Sequence, residues 1–194
     1  MFACCSACAV WSDVYADHLD LHHPLARTVP NVLTESECAA YIARIRSGDA
    51  EVAPITQGID LAVRNNTRVM WDDAAEADGL LERVKAFVPK RFRDEELACA
   101  NPRLRLYRYQ VGEKHGLHFD TVVELPGMRS RMTMVFYLND DFEGGATDFP
   151  ELPLRVVPQR GSALLFQHRV LHEAMPVTRG EKFVLRTDLF FRSA

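Results

Sequence analysis

The spacing of apolar residues along the chain changes near residue 100. Before this point, two segments place apolar residues three and four positions apart, which is the spacing of an amphipathic helix. After it, short runs alternate between apolar and polar residues, and Gly, Pro, Asn and Asp separate the runs. The pattern predicts helices in the first half of the chain and a β-rich second half.

Local signals mark the ends of the two predicted helices. Thr34 and Glu37 have the spacing of a capping box, and the Ser-Gly-Asp of residues 47–49 ends the first helix. The two aspartates at residues 72–73 begin the second helix, and Pro89 ends it. The apolar faces comprise Cys38, Ile42 and Ile45 in the first helix and Leu80, Leu81, Val84, Phe87 and Val88 in the second.

The predicted strands cover residues 103–110, 115–125, 130–138, 145–157, 162–168 and 182–192. Several short strands bounded by turn residues predict a sandwich or a barrel. We expect an α+β fold that is mainly β, a double-stranded β-helix (jelly roll) with flanking N-terminal helices. Residues 1–28 are predicted to be an N-terminal extension of uncertain order, and residues 29–194 the jelly-roll domain. Residues 64–69 fit either a polar strand near a site mouth or a solvated loop.

Composition narrows the class of protein. The chain has 194 residues, 47% of them hydrophobic, and a formal net charge of −4, which suits one globular domain and argues against a basic nucleic-acid-binding surface. No apolar run reaches the roughly 18 residues of a membrane span. The five cysteines form no disulfide framework, and Cys5 and Cys8 make an isolated C-x-x-C. We therefore expect a cytoplasmic protein with neither a nucleic-acid partner nor a membrane anchor.

Three side chains suggest a metal site. His118 and Asp120 are two positions apart, so a strand would point both to one face. His172 would complete a 2-His-1-carboxylate set, which is diagnostic of non-haem Fe(II) oxygenases. His168 competes with His172, but only His172 is followed by a basic strand residue at a suitable distance. His115 lies three positions before His118, so we expect it to face the other way, as a lining or surface residue.

The last predicted strand carries two cations. Lys182 and Arg186 share one face, and a lysine inside a barrel is costly unless it meets an anion. Lys182 would bind the carboxylate of an acidic co-substrate; alternatively, it is a solvated lysine at a strand end. Arg186 could do the same with bidentate geometry. Other candidates for the pocket wall are Tyr107, Tyr109, Arg131, Thr133 and Tyr137, with a tight turn or close backbone approach at Gly144-Gly145.

With these residues in place, the stretch from about Val29 to Phe191 resembles the 2-oxoglutarate and Fe(II)-dependent oxygenases of the prolyl 4-hydroxylase type. Many motif elements recur in the same order, which makes the resemblance specific. The shared positions are Tyr109, Gly112, His118, Asp120, Thr133, residues 137–139, Gly144, Gly145, Thr147, Phe149, Gly161, Ala163, Phe166, His172, Glu173, Pro176, Val177, Gly180 and Lys182.

The resemblance implies that His118, Asp120 and His172 bind Fe(II) and that Lys182 binds the remote carboxylate of 2-oxoglutarate. It implies Tyr109 as a second 2-oxoglutarate contact and, less surely, Tyr137. The implied reaction is hydroxylation of an unactivated C–H of an amino-acid residue in a protein, or of a small molecule. Succinate and CO2 are released, with O2 as co-substrate and ascorbate as a further candidate cofactor. Specificity for prolyl residues is not implied, because residues 50–70 contain no recognisable peptide groove.

Two other interpretations remain open. The chain could be a catalytically silent metal-binding β-barrel that acts as a sensor or binding module. That interpretation would require a lost iron ligand or a lost 2-oxoglutarate cation, and neither loss is visible in the sequence. The first 28 residues could also be a separate thiol-based redox or interaction element.

Overall fold

The computed structural model describes residues 18–55 and 58–193. Cys5 and Cys8, and with them the C-x-x-C of the predicted extension, lie outside the described residues. Within the described ranges, no helix is both long enough and apolar enough to cross a membrane.

The described residues form two α-helices, one 3-10 turn and sixteen strands. The helices are α1 (Glu35–Ser47) and α2 (Ala74–Val84), and the 3-10 turn Lys85–Phe87 follows α2. The strands are β1 (Ala26–Val29), β2 (Glu51–Val52), β3 (Thr67–Asp72), β4 (Arg91–Phe92), β5 (Glu95–Ala100), β6 (Arg103–Tyr109), β7 (His115–His118), β8 (Glu124–Leu125), β9 (Met128–Tyr137), β10 (Glu143–Gly144), β11 (Thr147–Phe149), β12 (Leu154–Val156), β13 (Ala163–Gln167), β14 (His172–Ala174), β15 (Val177–Arg179) and β16 (Lys182–Ser193).

Antiparallel sheets of unequal size build the barrel. The larger one runs in the order β1-β13-β9-β16-β6-β3-β2, with β5 also paired to β16, β4 to β5 and β8 to β9. The smaller one runs β12-β11-β14-β7, and β10 pairs with β15. The predicted double-stranded β-helix is confirmed, because the fold is mainly strand and antiparallel sheets face each other around the site.

Alternation along the central strands separates two apolar cores. In β16, Phe183 and Leu185 belong to the core that lies against the helices, whereas Val184 belongs to the core that contains the site. Strand β6 divides in the same way, with Leu106 on the helix side and Tyr107 on the site side. Successive side chains point to opposite faces of a sheet. Each strand therefore anchors the helices with one face and lines the site with the other.

The helices form where the sequence predicts them. Thr34 caps α1, since its side chain accepts a hydrogen bond from the Glu37 N–H while the Glu37 side chain accepts one from the Thr34 N–H. Asp73 caps α2 by accepting a hydrogen bond from the Glu76 N–H at 2.9 Å. Phe87, expected on the apolar face, lies in the 3-10 turn after α2 and is 43% exposed, because the turn changes its direction.

The end of the predicted N-terminal extension packs on the barrel. Strand β1 pairs antiparallel with β13, and Asp20 is buried. The Asp20 backbone N–H donates a hydrogen bond of 2.8 Å to Oε1 of Gln167, whose amide donates back to the Asp20 carbonyl at 2.9 Å. The described residues before Val29 are thus held by sheet pairing and by a buried side-chain contact.

The capping box predicts a stability effect. We expect Thr34→Ala to lower the free energy of unfolding by about 1 kcal/mol, because the Glu37 N–H loses its acceptor at the start of α1. Urea denaturation measures the change. Thr34→Ser keeps the hydroxyl and should stay close to the parent protein. Equal losses in both variants would show that the cap does not stabilise α1.

Candidate metal centre

Three potential ligand atoms converge at the mouth of the barrel. One atom each from His118, Asp120 and His172 lies within 4.8 Å of the other two. Nε2 of His118 is 3.6 Å from Oδ1 of Asp120, and Nε2 of His172 is 3.8 Å from Oδ2. Strands β7 and β14, which pair directly with His118 opposite His172, carry the two histidines.

Backbone carbonyls select the tautomers of both histidines. Nδ1 of His118 lies 2.8 Å from the Gly116 carbonyl oxygen, and Nδ1 of His172 lies 2.9 Å from that of Val170. A carbonyl oxygen only accepts, so each Nδ1 carries the proton and each Nε2 keeps a lone pair that faces Asp120. Burial lowers the pKa of His172 to about 4, against the attraction of Asp120, so its imidazole is neutral near pH 7. Imidazole nitrogens with a lone pair and a carboxylate are a donor set that suits Fe(II).

Asp120 is a buried carboxylate held on both oxygens. Arg186 lies 2.8 Å from Oδ1, and the Thr133 hydroxyl donates to Oδ2. Burial alone would raise its pKa, but Arg186, followed by His172 and His118, outweighs burial and holds the pKa of Asp120 well below its usual value. The carboxylate is therefore ionised and has a fixed orientation at neutral pH.

Strand β7 starts at His115 as predicted, but it differs from the prediction in where it ends and in the direction of His115. It ends at His118, so Asp120 lies beyond the strand, where its N–H donates to the His168 carbonyl at 3.1 Å. The expectation that His115 faces away from His118 is wrong, because their rings stack with centroids 3.5 Å apart. A register shift accounts for this: His172 pairs with His118 but Ala174 pairs with His115, which places one extra residue in β7. The bulge brings both rings to one face.

His168 takes a different role from His172. It is 2% exposed, and its Nε2 lies 3.7 Å from Oδ1 of Asp188. Asp188 also pairs with Arg105 at 2.9 Å and with Arg186 at 3.2 Å. Arg186 thus bridges the Asp120 carboxylate and a second buried carboxylate, Asp188. Although burial opposes it, these two carboxylates raise the pKa of Arg186.

Lys182 is buried, not solvated, at its strand end. It is 2% exposed, and its Nζ donates to the Gly145 carbonyl oxygen at 2.6 Å. Among the described residues it has no ion-pair partner, and burial lowers its pKa to about 7. Gly145 has a φ of 63°, and a Cβ there would meet Lys182 at 3.1 Å, so the close backbone approach predicted for this glycine pair is confirmed.

One cavity is lined by both the three cluster residues and Lys182, and aromatic side chains complete its inner end. Nζ of Lys182 lies 5.2 Å from the ring centroid of Tyr109 and 5.7 Å from that of Tyr137. The Tyr137 hydroxyl and Oγ1 of Thr147 are 2.7 Å apart. Burial raises the pKa of Tyr109 to about 12, although Arg64 opposes it, so this phenol keeps its proton. The inner end is therefore apolar apart from one ammonium and a few hydroxyls.

Arg131 does not line this cavity. It forms an ion pair with Glu95, with Nε 2.6 Å from Oε2, at the far end of β9. Sequence reasoning missed two residues: Asp188, which shares the face of Lys182 and Arg186, and Arg64, a buried wall residue. Strict alternation along β16 would have identified Asp188. Arg64 reaches the wall through an isolated bridge to His115 that no local pattern signals.

The ion pairs of Arg186 generate a stability prediction. Replacing Arg186 by Met should lower the free energy of unfolding of the metal-free protein at pH 7 by about 3–5 kcal/mol, since Asp120 loses its cation and Asp188 loses one of two. Urea denaturation measures the loss, with Arg108→Met as the matched control. Arg108 is partly exposed and meets Glu181 only at 3.9 Å, so its loss should stay below about 1 kcal/mol.

The Arg186 prediction has a definite pH dependence. The pKa of Asp120 is depressed in the folded protein, so its pairing stabilises the fold above the unfolded pKa and the contribution is lost as the pH falls through the folded pKa. The difference between parent and Arg186→Met should therefore shrink toward low pH. A difference that grew in acid would contradict the assigned pairing.

The site and the fold agree with known proteins. Residues 104–187 match the model of the 2OG-Fe(II) oxygenase superfamily. "Probable prolyl 4-hydroxylase 9" from Arabidopsis thaliana is 27% identical over 205 residues, covering 83% of this chain and 67% of the relative. A "PKHD-type hydroxylase" from Sphingopyxis alaskensis is 36% identical over 89 residues, 42% of this chain and 41% of the relative.

Solved structures extend the similarity to the whole barrel. The crystal structure of a Pseudomonas putida prolyl-4-hydroxylase superposes with a TM-score of 0.65 at 20% identity and covers 95% of this chain and 98% of that one. Fold, family model and relatives all point to the family that the residues around His118 and His172 resemble. Residues 104–187 therefore match the 2OG-Fe(II) oxygenase superfamily, and the chain is similar over most of its length to prolyl 4-hydroxylases.

Proposed function

We propose that this chain hydroxylates an unactivated C–H of an amino-acid residue in a protein or of a small molecule, with Fe(II) held by His118, Asp120 and His172 and 2-oxoglutarate held by Lys182 and Tyr109. The observation that carries the proposal is the convergence of the three ligand atoms beside a buried lysine that has no carboxylate partner among the described residues. Bound Fe(II) supplies oxygen activation coupled to the conversion of 2-oxoglutarate into succinate and CO2.

Different residues would hold the ion, fix the tautomers of the histidines and orient the carboxylate. Nε2 of both histidines and a carboxylate oxygen of Asp120 lie within 4.8 Å of one another, so these three side chains would hold Fe(II). The carbonyls of Gly116 and Val170 keep the imidazoles in the ligating tautomer. Thr133 and Arg186 fix the plane of the carboxylate.

Lys182 suits the remote carboxylate of a diacid. Its ammonium lies among apolar and aromatic side chains, where an ion pair is stronger than in water. The Tyr109 hydroxyl keeps its proton and can donate to the same carboxylate. The buried wall of the cavity excludes water from the reacting groups.

The amino-acid substrate is supported by the names of relatives called prolyl 4-hydroxylases. We also propose a cytoplasmic location, because the five cysteines show no disulfide framework. A catalytically silent metal-binding barrel would lack one ligand or the cation. Both the three-residue cluster and the buried lysine are present, so the catalytic proposal is preferred.

The first test addresses the iron ligands. The protein is titrated anaerobically with Fe(II) and 2-oxoglutarate, then exposed to O2, and succinate is measured. We expect succinate from the parent and a loss of about 100-fold or more in His118→Ala, because a metal with two protein ligands is bound weakly. His22→Ala, at an exposed histidine outside the cluster, is the matched control. Equal succinate from His118→Ala and parent would remove the iron assignment.

The second test addresses Lys182. Lys182→Ala should raise the 2-oxoglutarate concentration needed for half-saturation by about tenfold or more while metal binding stays intact, because a charge-assisted contact is lost. Isothermal titration of the metal-free protein with the metal, and then of the metal-loaded protein with 2-oxoglutarate, measures both steps. If only Arg186→Ala has this effect, Arg186 is the cation that binds 2-oxoglutarate.

The depressed pKa of Lys182 adds a pH signature to the second test. Below about pH 7 the amine is already protonated, whereas above it the protein must take up a proton to bind the diacid. Affinity for 2-oxoglutarate should therefore fall as the pH rises above about 7. Lys182→Arg stays charged throughout and should lose this dependence. A parent affinity that did not change between pH 7 and 9 would argue against Lys182.

A further inference from the structure

A second cavity opens directly onto the proposed metal centre. It has a volume of about 480 Å³, and His118 and Asp120 form part of its wall. Val63, Leu117 and Val123 supply apolar wall surface, and Leu117 is 54% exposed. A molecule in this cavity would lie against the reacting centre, on the side open to solvent.

The charged wall of this outer cavity is unbalanced. It consists of Arg64, Arg68, Arg105, Arg186, Asp120 and Asp188. Four guanidinium groups thus face two carboxylates, one of which is the proposed metal ligand. The whole chain has a formal net charge of −4, so a basic cavity is not a consequence of overall composition.

Three of the four arginines have acidic partners. Arg68 pairs with Glu51 at 2.8 Å, Arg105 with Asp188 at 2.9 Å, and Arg186 with both wall carboxylates. Arg64 is the exception among the described residues.

Arg64 is 6% exposed and has only neutral partners. Its Nε donates to Oδ1 of Asn66 at 2.9 Å, and its Nη1 donates to the Pro54 carbonyl at 3.3 Å. Its guanidinium carbon lies 4.7 Å from the ring centroid of Tyr107. A buried guanidinium cannot shed its proton, so the charge stays uncompensated until an anion arrives.

The pKa of Tyr107 also indicates excess positive charge in the wall of the outer cavity. Burial alone would raise its pKa, but Arg64, Arg186 and Arg105 together lower the pKa below its usual value. Three guanidinium groups therefore create a positive potential at the Tyr107 side chain, inside the wall of the outer cavity.

We propose that the outer cavity binds a substrate that carries a carboxylate group, and that Arg64 pairs with that carboxylate while the apolar wall holds the rest of the molecule. This inference rests on the proposed function and names its substrate class. One uncompensated guanidinium balances the single negative charge of a carboxylate, with the two-pronged geometry that arginine offers. Both a free amino acid and an acidic side chain of a polypeptide carry such a group, and the test below separates the two.

The test uses the protein loaded with Mn(II) and 2-oxoglutarate and detects bound probes by the paramagnetic relaxation of their protons. Relaxation by Mn(II) reports only molecules near the metal, and it does not depend on turnover. The probes are N-acetyl-L-leucine, which carries one carboxylate, and its neutral match N-acetyl-L-leucinamide. The peptide acetyl-Gly-Ala-Glu-Ala-Gly-amide and its glutamine counterpart form a second pair.

We expect the acidic member of a pair to bind about tenfold or more tightly than the neutral one. Arg64→Gln should bring the two affinities together without changing affinity for 2-oxoglutarate, whereas Arg64→Lys should keep part of the preference. Arg108→Gln, at an arginine outside the cavity wall, should behave like the parent. A stronger signal from the peptide pair assigns the carboxylate to a polypeptide, and a stronger signal from the acetylated amino acid assigns it to a small molecule.

Equal affinities for acidic and neutral probes in both pairs would overturn the inference alone. A loss of 2-oxoglutarate binding in Arg64→Gln, with the probe preference retained, would also overturn it, because Arg64 would then serve the co-substrate. Failure of the parent to bind Mn(II), or equal Mn(II) binding by His118→Ala, would overturn the proposed function and this inference together.

Discussion

One buried carboxylate joins the two sheets at the mouth of the barrel. Asp120 follows the last residue of β7 in the smaller sheet, yet both of its oxygens are held from the larger sheet, by Arg186 of β16 and Thr133 of β9. An ionised carboxylate that is 3% exposed is stable only with such partners. The same contacts that make burial possible also set the direction in which the carboxylate faces the two histidines.

Strand β16 makes this arrangement possible because it lies at the centre of the larger sheet. It pairs with β9 along most of its length and with β6 and β5 on its other side. Its even-numbered residues from Lys182 to Asp188 line the site, and the odd-numbered neighbours pack under the helices. A substitution on the helix side would therefore move charged groups on the site side, which couples core packing to the geometry of the cluster.

The elements that local chemistry specifies could be predicted from the sequence. The capping box at Thr34 and the alternation of β16 are both short-range signals, and they led to α1 and to the shared face of Lys182 and Arg186. The two-residue spacing of His118 and Asp120 was expected to place both side chains on one face of a strand. In the structure β7 ends at His118, so Asp120 reaches the cluster from beyond the end of the strand. The choice of His172 over His168 as the partner of His118 rested on the basic strand residue that follows His172, and the family resemblance implied the same choice.

What could not be predicted depends on contacts between distant segments. The bulge in β7 arises from its pairing with β14, and it reverses the expected direction of His115. The burial of Lys182 depends on the Gly145 backbone lying against it. The surplus charge of the outer cavity appears only when Arg64, from the segment before β3, meets the arginines of β6 and β16. Each of these features is a property of tertiary packing.

Lys182 and Arg64 have no ion-pair partner among the described residues, and the structure accommodates their charges in different ways. Lys182 can release its proton, and burial lowers its pKa to about 7, so an apolar surrounding with one carbonyl partner is tolerated. Arg64 remains charged at any physiological pH, and accordingly it has an amide oxygen, a carbonyl oxygen and an aromatic face around it. Each neutral partner offsets part of the desolvation cost without neutralising the charge. The difference in surroundings is therefore what the difference between an ammonium and a guanidinium requires, and it leaves both positions able to receive an anion.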